Sequence, residues 1–277
     1  MTTALPSTLM LGDMSVCRLG FGAMRITGPG VIGPPADPET CRRVLRRAVE
    51  LGVNFIDTAD SYGPDVSELL IAEALFPYPA GLVIATKAGF DRPGPHRWKM
   101  NGRPEHLRAR CESSLRRLRV DRIDLFQLHR IDPDVPEADQ FGVLEALHSE
   151  GKIRWVGLSE VGVDAVARAR QTLPVVSVQN RYNIQDRQWD AVVDYCTRER
   201  LAFIPWYPLV AGGLQHAGVA HIAASRGATP MQVALAWLLA RSPMMLPIPG
   251  TASLAHLEEN MRSASLVLSP DELRALG

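Results

Sequence analysis

The sequence predicts an α/β fold, a (β/α)8 TIM barrel of eight parallel strands and eight helices with an N-terminal β-hairpin closing the barrel bottom. Three observations carry that expectation. Short β-branched or aromatic apolar runs recur down the chain, each is followed by a loop and an apolar stripe at helical spacing, and no linker interrupts the series. Parallel neighbours need a crossover long enough to hold a helix, and eight such units close a ring. Residues 1–277 are therefore expected to form a single domain, since α/β barrels run to about 250 residues as one unit.

The first element is the hairpin: residues 9–14 hold Gly12-Asp13 between apolar positions, which suits a tight turn. Barrel strands are expected at residues 18–21, 53–56, 82–86, 123–128, 153–158, 175–178, 202–205 and 245–248. Between the first two, Asp37-Pro38 reads as an N-cap followed by Pro at the first helical position. Cys41, Val44, Leu45, Ala48 and Val49 stripe one face of that helix, and Gly52 stops it. A second helix runs through Leu69, Leu70, Ala72, Glu73 and Leu75, and a third follows Pro104 with Leu107, Cys111, Leu115 and Leu118 on one side. Phe141, Leu144 and Leu147 stripe a fourth, ended by Gly151. Residues 165–169, 189–197, 231–240 and 253–261 supply four more, and Pro270 opens a short terminal helix.

Composition narrows the function. With 30 Lys+Arg against 30 Asp+Glu the chain lacks the basic footprint that nucleic acids or anionic membranes require. Its arginine clusters, Arg42 to Arg47 and Arg116 to Arg119, fall in amphipathic stretches and read as solvated helix faces. Cys17, Cys41, Cys111 and Cys196 form no C-x-x-C pair, so neither a disulfide framework nor a zinc site is indicated, and no metal is expected. No apolar run approaches the roughly 18 residues of a membrane span. A cytoplasmic monomer acting on a small molecule is the expectation.

In such a barrel the chemistry sits at the C-terminal ends of the strands. Six successive strands end in polar or aromatic residues: Asp57, Lys87, His129, Ser159, Gln179 and Trp206. Asp57, Lys87 and His129 would come from adjacent strands about 4.8 Å apart, close enough to share a pocket. Five residues beyond Asp57 stands Tyr62, whose hydroxyl can reach the same rim. A phenol has a reference pKa of about 10, and a neighbouring Lys87 ammonium is expected to lower it, with Asp57 keeping the lysine charged.

The run Asn54-Phe55-Ile56-Asp57-Thr58-Ala59-Asp60-Ser61-Tyr62-Gly63 resembles the signature of the aldo-keto reductase family. Thr86-Lys87, Leu128-His129, Gly157-Leu158-Ser159, Gln179 with Tyr182-Asn183, Pro208-Leu209, and Ile248-Pro249-Gly250-Thr251 through Glu259-Asn260 follow in family order. The resemblance covers most of the chain, from Leu9 to Asn260. It implies reduction of aldehydes or ketones with NADPH, bound without a Rossmann domain, NADH being the alternative. It makes Tyr62 the proton donor, with Lys87 and Asp57 tuning it and His129 orienting the carbonyl. It also implies that Ser159 and Gln179 hold the nicotinamide carboxamide, that Trp206 stacks on the ring, and that Gly22 and Met24 border it. Leu209 and the Gly212-Gly213 turn would line the pyrophosphate, and Gly250, Thr251, His256, Glu259 and Asn260 the adenosine end.

Four positions depart from the commonest family pattern. Glu160 replaces an Asn and is expected to accept from the carboxamide. Trp206 replaces a Tyr, while Gly250 and His256 stand where basic residues often grip the 2′-phosphate, which weakens the charge favouring NADPH. Gly28-Pro29-Gly30-Val31-Ile32-Gly33 matches G-x-G-x-x-G, but Pro34-Pro35 follows and no helix opens there, so it reads as a loop over the barrel mouth. His216 and His221 read as solvated. Phe90, Trp98, Arg130 and Met24 are expected to line an open pocket for a small or medium apolar carbonyl compound. Two rival readings share the fold: a nucleotide-binding redox sensor with little turnover, and a lyase forming a Schiff base through Lys87.

Overall fold

The structure is a computed structural model and describes residues 7–209 and 216–277. Strands β1 (Thr8–Leu11) and β2 (Met14–Cys17) form the expected antiparallel hairpin. Leu9, Leu11, Met14 and Val16 point into the strand ring and join Phe55, Leu125, Ala202 and Leu246 in an apolar core at its bottom. Burial of that face holds the hairpin in place, and Trp155 Nε1 adds a 2.8 Å bond to Asp13 Oδ1.

Seven parallel strands curl around this core. They are β3 (Phe21–Gly22), β4 (Phe55–Asp57) and β5 (Val83–Ala88), then, beyond a hairpin of β6 (Phe90–Gly94) and β7 (Arg97–Met100), β8 (Ile123–Leu128), β9 (Ile153–Ser159), β10 (Val175–Gln179) and β11 (Ala202–Phe203). Their order in the sheet follows the sequence, with the β6–β7 hairpin set apart as its own two-stranded sheet. The expected eighth strand at residues 245–248 is a near-strand. Phe203 donates to the Met244 carbonyl and accepts from Leu246, each at 2.9 Å, and Gly20 donates to the Pro247 carbonyl at 2.9 Å. Pro247 and Pro249 have no N–H to offer a ladder, so the segment closes the ring with few bonds.

Helices wrap the strands: α1 (Pro38–Glu50), α2 (Val66–Leu75), α3 (Pro104–Leu118), α4 (Glu137–Ser149), α5 (Val163–Ala169), α6 (Asp190–Glu199), α7 (Ala217–Arg226), α8 (Pro230–Arg241), α9 (Leu254–Arg262) and α10 (Pro270–Leu276). In α1 the stripe Cys41, Val44, Leu45 and Ala48 is buried, and the Asp37 side chain accepts from Thr40 N at 2.9 Å, as its N-cap position predicts. The helix near Ala217 is α7, a further helix beyond the regular alternation, and His216 caps it by accepting from Val219 N. No helix among the described residues is long and apolar enough to cross a membrane.

The glycine-rich segment 28–33 is a short turn closed by a 2.9 Å bond from Gly28 N to Gly33 O. Among the described residues no α-helix opens before Pro38. The loop instead clasps the Tyr62 loop, with Gly33 N donating to Gly63 O at 2.6 Å and Gly63 N to Val31 O at 3.2 Å.

Candidate active site

The carboxyl ends of β4, β8, β9 and β10 meet at one cavity of about 590 Å³. Its lining includes Gly22, Met24, Asp57, Tyr62, His129, Ser159, Gln179, Trp206, Leu209 and Gly250, together with Phe90, Trp98 and Arg130. Lys87 lies behind this surface, wholly buried.

At the centre, Lys87 Nζ donates to Asp57 Oδ1 at 2.6 Å and to the Thr58 carbonyl at 2.8 Å. The other Asp57 oxygen accepts from Gln127 at 2.9 Å and from Gln179 at 2.8 Å. Gln127 was not singled out from the sequence, although a glutamine in the apolar strand Ile123–Leu128 was a visible signal. Gly157, its register partner on β9, makes room for it: a Cβ there would lie 2.8 Å from Gln127 Cγ.

Tyr62 reaches this group from the loop after β4. Its ring centroid is 5.3 Å from Lys87 Nζ and 6.1 Å from the His129 ring. Burial pushes the phenol above its ordinary value, and the Lys87 charge opposes that without reversing it. The expected net lowering is thus corrected to a net rise, because the low-dielectric surroundings penalise the phenolate more than the ammonium favours it. Burial also works to lower Lys87, but Asp57 and Tyr62 together outweigh it and leave the ammonium above its usual value. A lysine held charged is a poor Schiff-base nucleophile, which opposes the lyase reading. For His129, burial acts in the same direction as the charges of Lys87, Arg130 and Arg92, and its pKa falls well below the usual imidazole value. The ring is neutral at physiological pH, with the Ser61 hydroxyl 3.4 Å from Nδ1. Phe90 and Trp98, from the β6–β7 hairpin, pack edge-on to it at 4.8 and 6.0 Å between ring centres.

The chemistry of the other wall suits a nicotinamide. Gln179 uses Nε2 on Asp57 and Gln127, which leaves Oε1 without a protein partner among the described residues and able to accept from an amide. Ser159 presents its hydroxyl to the same cavity, and Trp206 offers an aromatic face. Glu160 departs from expectation. Its Oε1 accepts from Trp206 Nε1 at 2.6 Å and from Arg181 N at 2.5 Å, so it fixes the indole and does not line the cavity. Glycine at position 250 also has a local reason. A Cβ there would stand 2.3 Å from the Gly22 carbonyl, and one at Gly22 would meet the Ile248 carbonyl at 2.6 Å. The barrel closes where these two backbones touch, which leaves no room for a basic side chain.

Thr251, His256, Glu259 and Asn260 lie beyond the lining. Thr251 Oγ1 accepts from Ser253 N at 3.0 Å, just ahead of α9, and His256 is exposed on its first turn. Glu259 accepts from Thr229 Oγ1 at 2.6 Å, and Asn260 is buried. The Gly212-Gly213 turn lies outside the described residues. Val31, Ile248 and Pro249 also line the cavity, as do Arg25 and Tyr207, which the sequence did not mark for it.

Fold and site together define a barrel oxidoreductase, and comparison with known proteins gives its family. The aldo/keto reductase family model matches residues 18–277. An uncharacterized oxidoreductase of Schizosaccharomyces pombe is 53% identical over 95% of this chain and 87% of its own length. Pyridoxine 4-dehydrogenase of Escherichia coli is 44% identical over 98% of this chain and 97% of its own. Among solved structures, an aldo-keto reductase from Klebsiella pneumoniae in complex with NADPH superposes with a TM-score of 0.82 at 27% identity, covering 98% of this chain and 94% of that one. The chain belongs to the aldo/keto reductase family and is an NAD(P)H-dependent oxidoreductase.

Proposed function

We propose that this protein reduces aldehydes or ketones to alcohols with NADPH, Tyr62 giving the proton to the carbonyl oxygen. One observation carries the reading: Asp57, Tyr62 and His129 meet at a single cavity with Lys87 directly behind it, where Tyr62 is held protonated, Lys87 charged and His129 neutral. When bound, the nicotinamide supplies the hydride. Tyr62 stays protonated at neutral pH because burial holds its proton. The Lys87 ammonium stabilises the negative charge that develops as that proton leaves, and Asp57 keeps the ammonium in place. The neutral His129 imidazole donates to the carbonyl oxygen and orients it. Ser159 and Gln179 hold the carboxamide, and Trp206, braced by Glu160, supports the ring.

The Phe90 and Trp98 rings favour an aromatic carbonyl compound. The Escherichia coli relative acts on pyridoxine. Dehydrogenation of its 4-hydroxymethyl group, run in reverse, is reduction of a pyridine aldehyde, so pyridoxal is the first compound to try. The NADPH preference is supported by the NADPH-bound relative. The test follows nicotinamide oxidation with pyridoxal, 4-nitrobenzaldehyde and simple ketones, using each nicotinamide. Multiple turnover with kcat/KM higher for NADPH is expected. Tight NADPH binding without turnover on any carbonyl would instead support the redox-sensor reading, and equal or better use of NADH would remove the cofactor assignment.

A further inference from the structure

One cation in the cavity is left over once the reaction has its groups. Arg130 follows His129 and lines the cavity. Its Nη1 donates to the His129 carbonyl at 2.6 Å and to Ser159 Oγ at 3.0 Å. Its Nη2 and Nε have no partner among the described residues, where it forms no ion pair either. The guanidinium carbon lies 5.7 Å from the Phe90 ring, on the side where Phe90 and Trp98 surround His129.

Nearby arginines are differently employed. Arg92 donates to the carbonyls of Ser61, Gly30 and Arg97 and stacks on Trp98 at 3.6 Å. Arg110 and Arg117 pair with Asp60, Asp65 and Glu68. The one carboxylate in the described lining, Asp57, is taken by Lys87. Arg25 adds a second cation at the exposed rim. Burial outweighs the attraction that Glu160 exerts on the guanidinium from outside the lining; idle donors there are unfavourable until an oxyanion meets them, and the planar fork suits one in two-point contact.

We propose that Arg130 binds an oxyanion on the substrate, so that the carbonyl compounds best used here carry a carboxylate-like group in addition to the carbonyl. The proposal rests on the reductase reading above. It departs from the expectation of a small or medium apolar carbonyl compound: the walls are aromatic, but the group beside the catalytic imidazole is cationic.

The experiment compares 3- and 4-formylbenzoate with their methyl esters, using NADPH and both the wild type and Arg130→Met. In the wild type the better formylbenzoate should exceed its ester in kcat/KM by tenfold or more, the scale of a charge-assisted hydrogen bond. In Arg130→Met that ratio should fall to about one, whatever happens to the ester. A wild-type ratio near one, or a ratio that survives the substitution, overturns the proposal. So does an equal loss on acid and ester accompanied by weaker NADPH binding, which would assign Arg130 to the cofactor side through Ser159. If neither compound is turned over, and pyridoxal, 4-nitrobenzaldehyde and the simple ketones are not either, the reductase reading fails by itself. Calorimetric titration of the NADPH-saturated protein with acid and ester then still reads the anion preference: tighter acid binding lost in Arg130→Met supports it, and equal binding overturns it.

Discussion

Asp57 accepts three side-chain hydrogen bonds, from Lys87, Gln127 and Gln179, so the carboxylate is locked in position by three different strands. Lys87 is in turn held charged within reach of a phenol that burial keeps protonated. The directions of these shifts fix a pH dependence. A raised Tyr62 remains a proton donor up to and beyond its ordinary value of 10, and a lowered His129 stays neutral down to well below 6.5. The kcat for carbonyl reduction is therefore expected to be level from about pH 6.5 to 9. It should decline on the acid side only where His129 charges. A limb centred near 6.5 that disappears in His129→Gln would contradict that ordering. Which residues meet was legible from strand-end positions, because the spacing of apolar runs places Asp57, Lys87 and His129 on one rim. How Tyr62 titrates was not legible, because that depends on how far surrounding atoms exclude water. Nor was the bond from Trp206 to Glu160, which depends on which way the indole N–H points while its ring lines the cavity.

The loop after β4 is held by α3. Arg110 Nε donates to Asp60 Oδ2 at 2.6 Å, yet Asp60 Oδ1 is buried without a hydrogen-bond partner. Burial accordingly outweighs the arginine and lifts the Asp60 carboxyl to about 7. A carboxyl whose folded value lies above its unfolded value near 3.9 favours folding at low pH, and that contribution is lost as pH rises through about 7. Asp60→Asn removes the titration. Whatever the offset at pH 4, denaturation midpoints should shift in favour of the variant as pH is raised to 8, and a constant difference would refute the linkage. A second element-scale test concerns closure. Gly250→Ala places a methyl group against the Gly22 carbonyl and should destabilise the fold by about 1–3 kcal/mol in urea denaturation. Unchanged stability would show that the seam has slack. Most strands and helices were legible from periodicity. The β6–β7 hairpin was not: its residues are exposed or half-buried throughout, so no alternation marks them, and Pro93 interrupts the first strand. The closing segment 245–248 reads as a strand by its apolar content, and its prolines explain why it makes so few bonds.

Across the whole molecule, residues from β3 at one end of the sheet to the closing segment beyond β11 at the other line one cavity, so the complete ring builds the site. The neutral net charge hides a local asymmetry, since the described lining carries Arg25 and Arg130 against a single carboxylate already paired with lysine. The family and the barrel could be read from motifs strung along nearly the full length. The adenosine end could not, because Thr251, His256, Glu259 and Asn260 stand outside the described cavity and no side chain there shows which nicotinamide it selects. The most direct measurement is single-turnover reduction of an aldehyde by Tyr62→Phe at saturating NADPH, alongside NADPH affinity from fluorescence titration. The ring is retained and only the hydroxyl is removed, so the hydride-transfer rate should drop by a factor of about 10² or more while affinity stays within a few-fold. A variant that reduces the aldehyde at the wild-type rate would contradict the account.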